Sequence, residues 1–321
     1  MMSMESSLSS SFRTDARIDL PHGVGCACAL HSRRLFTGLI AGGALGMALP
    51  ALAQESQANL DEGVRRDVGK ESKFTKLVPA EQVEQAAAQQ YAQMLKQAQQ
   101  QRALAPETHP QLQRLRYISQ RLIPHAVPWN ERARQWRWEV NLLGSKDLNA
   151  FCMPGGKIAF YYGILAQLQL TDDEVATIMG HEIAHALREH ARERMGKTAA
   201  TRIGASVLSA FLGLGNAGDT LLNMGGQLLT LKFSREDESE ADIVGMELSA
   251  RAGYDPGAGV TLWQKMLTAS KGAPPQFMST HPAGETRIKD IQDKLPRVKP
   301  IHARAARPER QFGPPAKPAA S

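Results

Sequence analysis

The feature that most constrains this 321-residue chain is a pair of histidines four residues apart with a glutamate between them. His181, Glu182 and His185 form the pattern H-E-x-x-H, and side chains four residues apart lie on the same face of an α-helix. That spacing lets two imidazoles bind one Zn²⁺, and the glutamate can act as a general base toward a water that the metal activates. The pattern predicts a zinc-dependent hydrolase, with a peptidase as the first choice. The alternative is an ordinary amphipathic helix that carries these residues by chance.

The residues around this pattern support a helix that begins ten residues before His181. Thr171 and Glu174 form a capping box, in which a threonine is followed three residues later by a glutamate. Apolar side chains then recur at helical spacing, and Gly196 predicts the end of the helix. The two histidines are therefore expected in the middle of a long helix.

The first 53 residues have the pattern of an export signal. Arg33 and Arg34 precede an apolar run of about 15 residues, which ends at Ala51 and Ala53 in the small-x-small pattern of a signal peptidase site. A spanning helix needs about 20 apolar residues, so we expect cleavage after Ala53, a periplasmic mature chain and no transmembrane span in it. The two arginines resemble a twin-arginine signal, and the general secretory route is the alternative.

The net charge of +6 is concentrated at the end of the chain. Residues 297–321 carry six basic side chains and one acidic one in a Pro- and Ala-rich sequence, whereas residues 54–296 are close to neutral. This distribution predicts no nucleic-acid partner and a disordered basic tail, with docking on an anionic membrane as the alternative. Cys152 is the single cysteine after residue 53, so we expect no intramolecular disulfide and a buried small apolar residue there.

Helical patterns outnumber strand patterns along the chain, which predicts an α+β fold that is mainly α. Residues 54–107 form a Gln- and Ala-rich N-terminal segment whose helix, 80–104, either packs on the catalytic domain or serves as a partner-binding arm. Residues 108–296 form the catalytic domain. The predicted elements there are helices over 112–122, 163–170, 201–215, 220–252, 257–270 and 283–295, a strand over 136–143, and two short strands within 149–162 around a Pro-Gly-Gly turn.

A second motif follows the first at a distance. The sequence Glu238-Ser-Glu-Ala-Asp242, together with H-E-x-x-H, resembles the CAAX prenyl protease and HtpX-like zinc metallopeptidases. The segments N-A-F-C-M-P-G-G-K-I, F-S-R, A-G-Y-D-P and H-P-A-G-E-T-R-I match as well, in the order and spacing of the soluble periplasmic LoiP- and BepA-like branch, with mitochondrial Oma-type proteases as more distant relatives. The resemblance covers residues 108–295 and implies a gluzincin-type metallopeptidase domain.

The resemblance implies a ligand set for one Zn²⁺ per chain. Glu238 would be the third ligand beside His181 and His185, and Asp242, one turn further on, would accept the free N–H of a ligand histidine. We expect the neighbouring acidic side chains to form a solvated face of the helix. These are Glu236, Asp237 and Glu240.

Further roles follow from the same resemblance. His281 is the candidate donor to the tetrahedral oxyanion, or a resting-state ligand of the metal; the alternative is a histidine at a helix start before Pro282. Arg287 would orient that segment or contact substrate carbonyls. The strand Lys157–Tyr161 would lie beside the cleft, where an exposed edge could bind an extended peptide. His190, five residues after His185, is expected on the surface.

These patterns predict a periplasmic zinc endopeptidase that degrades misfolded or misassembled envelope proteins. One alternative is an assembly factor that binds the outer-membrane assembly machinery or its clients and rarely cleaves them. The other is a structural zinc protein with four closed ligands. We expect neither a tetratricopeptide-repeat region after residue 296 nor transmembrane segments flanking the motif.

Overall fold

Helices cover both faces of a small sheet in the part of the chain that the structure describes. The computed structural model describes residues 63–201, 224–270, 276–281 and 285–316, so the predicted signal segment and the predicted helix 201–215 lie outside it, the latter except for residue 201. The strands are β1 (Glu139–Leu143), β2 (Ala150–Met153) and β3 (Lys157–Tyr161). The helices are α1 (Ala80–Gln100), α2 (Pro110–Leu122), α3 (Tyr162–Gln167), α4 (Asp172–Leu187), α5 (His190–Thr201), α6 (Arg235–Arg251), α7 (Ala258–Ala269), α8 (Gln276–Thr280) and α9 (Glu285–Arg304). The predicted class, α+β and mainly α, is confirmed.

The sheet has the order β1-β3-β2, with β1 parallel and β2 antiparallel to β3. Gly155 (φ +83°) and Gly156 (φ +77°) form the turn between β2 and β3, a backbone conformation that glycine adopts readily. Because β3 pairs on both sides, the prediction that Lys157–Tyr161 offers a free edge is wrong. The outer strands are β1 and β2: the outer edge of β1 carries an isolated bridge between Leu143 and Leu104, and that of β2 pairs with no strand among the described residues.

Successive side chains of β3 point to opposite faces of the sheet, and both faces are covered by other elements. Ile158 and Phe160 belong to the main core with the motif helix, whereas Ala159 packs on the opposite face against Ala87 and Tyr91 of α1. The Tyr91 hydroxyl also donates a hydrogen bond to the carbonyl of Ile158. The Gln-rich helix therefore packs on the catalytic domain, one of the two alternatives that the sequence left open.

Helices α4 and α6 cross at a contact between two glycines. A Cβ added to Gly245 would lie 2.6 Å from the backbone nitrogen of His181, and one added to Gly180 would lie 2.7 Å from the carbonyl oxygen of Gly245. Any larger side chain at either position would separate the two backbones. This contact brings the start of α6, with Glu238, close to the histidines of α4.

Two predicted helices have different bounds in the structure. The motif helix begins after Thr171, whose capping box with Glu174 is formed, but it ends at Leu187 because Glu189 adopts φ +56°, and α5 starts a new axis. The predicted helix 220–252 is interrupted: residues 224–228 are helical, residues 231–234 are not, and a separate helix begins at Arg235, where Ser234 accepts from the N–H of Asp237 in a second capping box.

The region after residue 296, predicted to be a disordered tail, differs most from its prediction. Helix α9 runs through residue 296 to Arg304, and residues up to 316 follow an ordered path over the start of α4. The N–H groups of Phe312 and Gly313 donate to the Asp172 carboxylate at 2.8 and 3.2 Å. Burial of Val298 and Ile301 holds this part of the chain, so the prediction of disorder from residue 297 is wrong for residues 297–316. Among the described residues, no helix combines the length and the apolar character that crossing a bilayer requires.

Candidate metal centre

Three segments that are distant in sequence bring four buried side chains together. Helix α4 supplies His181 and His185, α6 supplies Glu238, and His281 follows α8 directly. One ligand atom from each of the four lies within 4.8 Å of the others, and all four residues are buried. The cluster is therefore small enough for a single metal ion.

The nitrogen and oxygen atoms of this cluster face one another. His181 Nε2 and His185 Nε2 are 3.0 Å apart, and they lie 3.6 and 3.5 Å from the two carboxylate oxygens of Glu238. His281 Nδ1 is 3.0 Å from Glu238 Oε1. Two imidazoles and one carboxylate are a donor set typical of catalytic zinc sites.

The opposite nitrogen of each α4 histidine is already engaged. His181 Nδ1 lies 2.9 Å from Asp242 Oδ1, and His185 Nδ1 lies 2.9 Å from His190 Nδ1. Both Nε2 atoms are thus turned toward the centre of the cluster. Glu182 lies beside them, and its buried Oε1 has no hydrogen-bond partner among the described residues. These observations fit a divalent metal at this position, with Glu182 next to it.

Burial and charge set the protonation of the cluster in the direction that metal binding needs. Burial holds the pKa of His185 well below its ordinary value, which keeps this imidazole neutral. Burial would raise the pKa of Glu238, but His281 and His185 outweigh it and lower that pKa, so the carboxylate is ionised. Burial raises the pKa of Glu182, which suits a group that must accept a proton. The pKa of His281 is raised by Glu182 and Glu238, despite the lowering effect of burial.

Arg287 lies behind the cluster and binds its two carboxylates. Its Nε and Nη2 donate to Asp242 at 2.6 and 2.7 Å, and its Nη1 lies 2.6 Å from Glu238 Oε2. The guanidinium carbon stands 3.7 Å above the Trp263 ring. Of the two roles predicted for Arg287, the geometry favours orientation of the site, because the guanidinium is buried against these groups.

His190 is buried, so the prediction that it lies on the surface is wrong. That prediction assumed one continuous helix, whereas the turn at Glu189 brings the imidazole of His190 back against His185. Glu240 and Asp237 also differ from the predicted solvated face. Glu240 pairs with Arg188 and faces His190 Nε2 at 3.5 Å, and Asp237 caps α6. Only Glu236 of the three is exposed.

A cavity of about 180 Å³ opens onto the cluster. Glu182, His185 and His281 line one side of it, and the free edge of β2 lines another. Most of the remaining lining is apolar, and the Phe233 ring stacks on His185 at 4.1 Å. Sequence reasoning did not assign Phe233 a place in the site, although its F-S-R segment belonged to the resemblance. The larger apolar lining residues are Phe151, Cys152, Met153, Leu228, Leu229, Leu231 and Phe233.

Known proteins are similar to this chain over about half of its length. The chain is 37% identical over 163 residues to the mitochondrial metalloendopeptidase OMA1 of Schizosaccharomyces pombe, covering 50% of this chain and 47% of that protein. It is 30% identical over 154 residues to the metalloprotease LoiP of Escherichia coli, covering 47% and 60%. The beta-barrel assembly-enhancing protease of the same organism is 28% identical over 194 residues, covering 57% and 39%. The chain thus spans about half the length of these relatives.

The family model for peptidase family M48 matches residues 110–295, which is more than half of the chain. These residues contain α4, α6 and every member of the four-residue cluster. The resemblance drawn from the sequence motifs is confirmed. The chain belongs to peptidase family M48.

Proposed function

We propose that this protein is a zinc-dependent endopeptidase. The observation that carries the proposal is the buried cluster of two imidazoles and a carboxylate beside Glu182, whose Oε1 accepts no hydrogen bond among the described residues and whose side chain lines a cavity. Family membership supports the same reaction. A structural zinc site would use all four side chains of the cluster as ligands and would leave the buried Glu182 without a use.

His181, His185 and Glu238 would hold the zinc. When bound, a zinc ion supplies polarisation of the scissile carbonyl and lowers the pKa of water toward about 7. Glu182 takes the proton of the attacking water and delivers it to the leaving amine. His281, whose Nε2 lies 3.6 Å from Glu182 Oε1, donates a hydrogen bond to the oxyanion. Arg287 and Asp242 hold Glu238 and His181 in place.

The cavity suits an extended and largely apolar peptide. The free edge of β2 can pair with a substrate backbone, which gives affinity without reading the sequence. The apolar side chains opposite this edge would receive apolar substrate residues, which folded proteins bury and unfolded proteins expose. We therefore propose unfolded or misfolded proteins as substrates, and the periplasm as the compartment because of the export pattern in residues 1–53.

The second candidate function is assembly of outer-membrane proteins with little proteolysis. It is favoured by the likeness to a protein described as a beta-barrel assembly-enhancing protease. The two functions share the same cluster but differ in whether Glu182 is needed in the cell.

The test compares purified wild-type protein with the variants Glu182→Gln and His185→Ala on an unfolded casein substrate. We expect Glu182→Gln to lose about 10²–10⁴-fold in kcat/KM while retaining stoichiometric zinc, because the general base is lost and the ligands remain. His185→Ala should lose zinc as well as activity. Glu236→Gln, a change at an exposed glutamate of α6, is the matched control and should cleave like the wild type. Full activity in Glu182→Gln would overturn the proposed mechanism. Full function of this variant in cells, with cleavage abolished, would favour the assembly role.

A further inference from the structure

We propose that His190 is a positioning residue for the metal site, which fixes the tautomer and the ring orientation of His185. Its Nδ1 accepts the Nδ1–H of His185, so that the Nε2 lone pair of His185 points into the cluster. The inference rests on the proposed function, because it assigns His190 a task in holding the same metal ion.

The geometry leaves one arrangement of protons that is compatible with a metal. The two Nδ1 atoms are 2.9 Å apart and the rings are inclined at 76°, which is a hydrogen bond between ring edges. A single proton therefore lies between them. If His190 donated it, neutral His185 would carry its own proton on Nε2, which faces His181 Nε2 at 3.0 Å. That tautomer cannot bind a metal, so His185 must be the donor.

The surroundings of His190 Nε2 support this tautomer. With Nδ1 as an acceptor, neutral His190 carries its proton on Nε2, and this atom faces Glu240 Oε2 at 3.5 Å. Arg188 binds Glu240 and is itself held by the carbonyl of Gly69 at 2.6 Å.

The two ligand histidines are thus supported differently. His181 has the common arrangement, a carboxylate directly against its Nδ1. His185 has a neutral imidazole instead, with the carboxylate one residue further away. The sharp turn at Glu189, with φ +56°, is what places His190 within reach of His185.

A packing role is the competing explanation, because the ring of His190 is buried and lies near Phe233. Two substitutions separate the roles. His190→Phe keeps an aromatic ring and removes the acceptor, whereas His190→Asn loses the ring and keeps an oxygen near the position of Nδ1. If the hydrogen bond is what matters, the asparagine variant should bind zinc more tightly than the phenylalanine variant. If packing is what matters, the phenylalanine variant should bind zinc more tightly.

The experiment measures zinc affinity by competition with a chromophoric chelator, the visible spectrum of the Co²⁺-substituted protein, and kcat and KM separately on casein. We expect His190→Phe to weaken zinc binding about 10–100-fold and to alter the Co²⁺ spectrum. His190→Asn should stay within a few-fold of the wild type in both, and its kcat should be retained. Thermal unfolding in EDTA checks that each variant folds, and Glu240→Gln, which keeps an acceptor for His190, should lose less zinc affinity than His190→Phe.

The inference would be overturned if His190→Phe bound zinc as tightly as the wild type does. It would also be overturned if His190→Asn lost more zinc affinity than His190→Phe. If His190→Phe does not fold, the comparison of His190→Asn with His190→Ala decides in the same way. Failure of the proposed function is a separate result, because the wild type itself would then bind no zinc or cleave nothing.

Discussion

Replacement of Arg287 by Met should destabilise the metal-free protein more than any single surface change. The guanidinium is 5% exposed and bridges Asp242 and Glu238, whose side chains are 5% and 1% exposed. Methionine fills a similar volume but removes the guanidinium that both buried carboxylates bind. Breaking a buried ion pair in this way costs about 3–5 kcal/mol. Loss of the contact with the Trp263 ring adds to that cost.

For a domain of this size, about 2–4 °C in Tm corresponds to each kcal/mol, so Arg287→Met should lower Tm by about 6–20 °C. The measurement is thermal unfolding in EDTA, where no metal compensates the charge of Glu238. The double variant, Arg287→Met with Asp242→Asn, should lose less free energy of unfolding than the two single variants lose together. We expect a difference of about 0.5–3 kcal/mol, because the second change removes a charge that the first leaves unpaired.

The control for this prediction is Arg134→Met. Arg134 and Glu131 form an ion pair at 3.5 Å in which the side chains are 69% and 82% exposed, and its loss should cost less than about 1 kcal/mol. A Tm of Arg287→Met within about 2 °C of the wild type would refute the reasoning, since the buried carboxylates would then not depend on the guanidinium.

Three other changes test how the site is held. Gly245→Ala should lower both Tm and zinc affinity, because the new Cβ would lie 2.6 Å from the backbone of His181, whereas Gly226→Ala, with open space around it, should change neither. Tyr91→Phe should cost about 1–3 kcal/mol at neutral pH, because its hydroxyl donates to the Ile158 carbonyl and accepts from Asn141, and both hydrogen bonds are lost. Burial raises the pKa of Tyr91 above its ordinary 10.0, so stability falls as pH rises above that value, and urea unfolding at pH 10–11 should show a shallower fall in the phenylalanine variant. Deletion of residues 305–321 should lower Tm, since the Asp172 carboxylate loses its contacts with Phe312 and Gly313; an unchanged melting curve would contradict that.

Local patterns singled out side chains that the fold brings together, but they placed the bounds of the surrounding helices less well. Thr171 and Glu174 mark a helix start within four residues, so the position of His181 on a helix could be read directly. The second capping box, Ser234 with Asp237, has an aspartate where the common pattern has glutamate, and the predicted helix therefore ran through it.

The remaining errors arose where tertiary contacts outweigh composition. Nothing local indicates that Glu189 adopts a left-handed conformation, and His190 was misplaced for that reason. In α9, Pro- and Ala-rich composition suggested disorder, although Leu295, Val298 and Ile301 recur every three residues and pack against the core. That spacing was the available sign of a continuing helix.

The contact between Gly180 and Gly245 has a consequence for which metal the site would hold. Because the two backbones touch there, the packing of α4 on α6 sets the distance between the histidines of α4 and Glu238 of α6. A site whose ligand positions are set by packing selects among divalent metals through its geometry and through the nitrogen and oxygen atoms that it offers, more than through their general affinity order. The two glycines that bring the helices together would therefore also restrict the choice of metal.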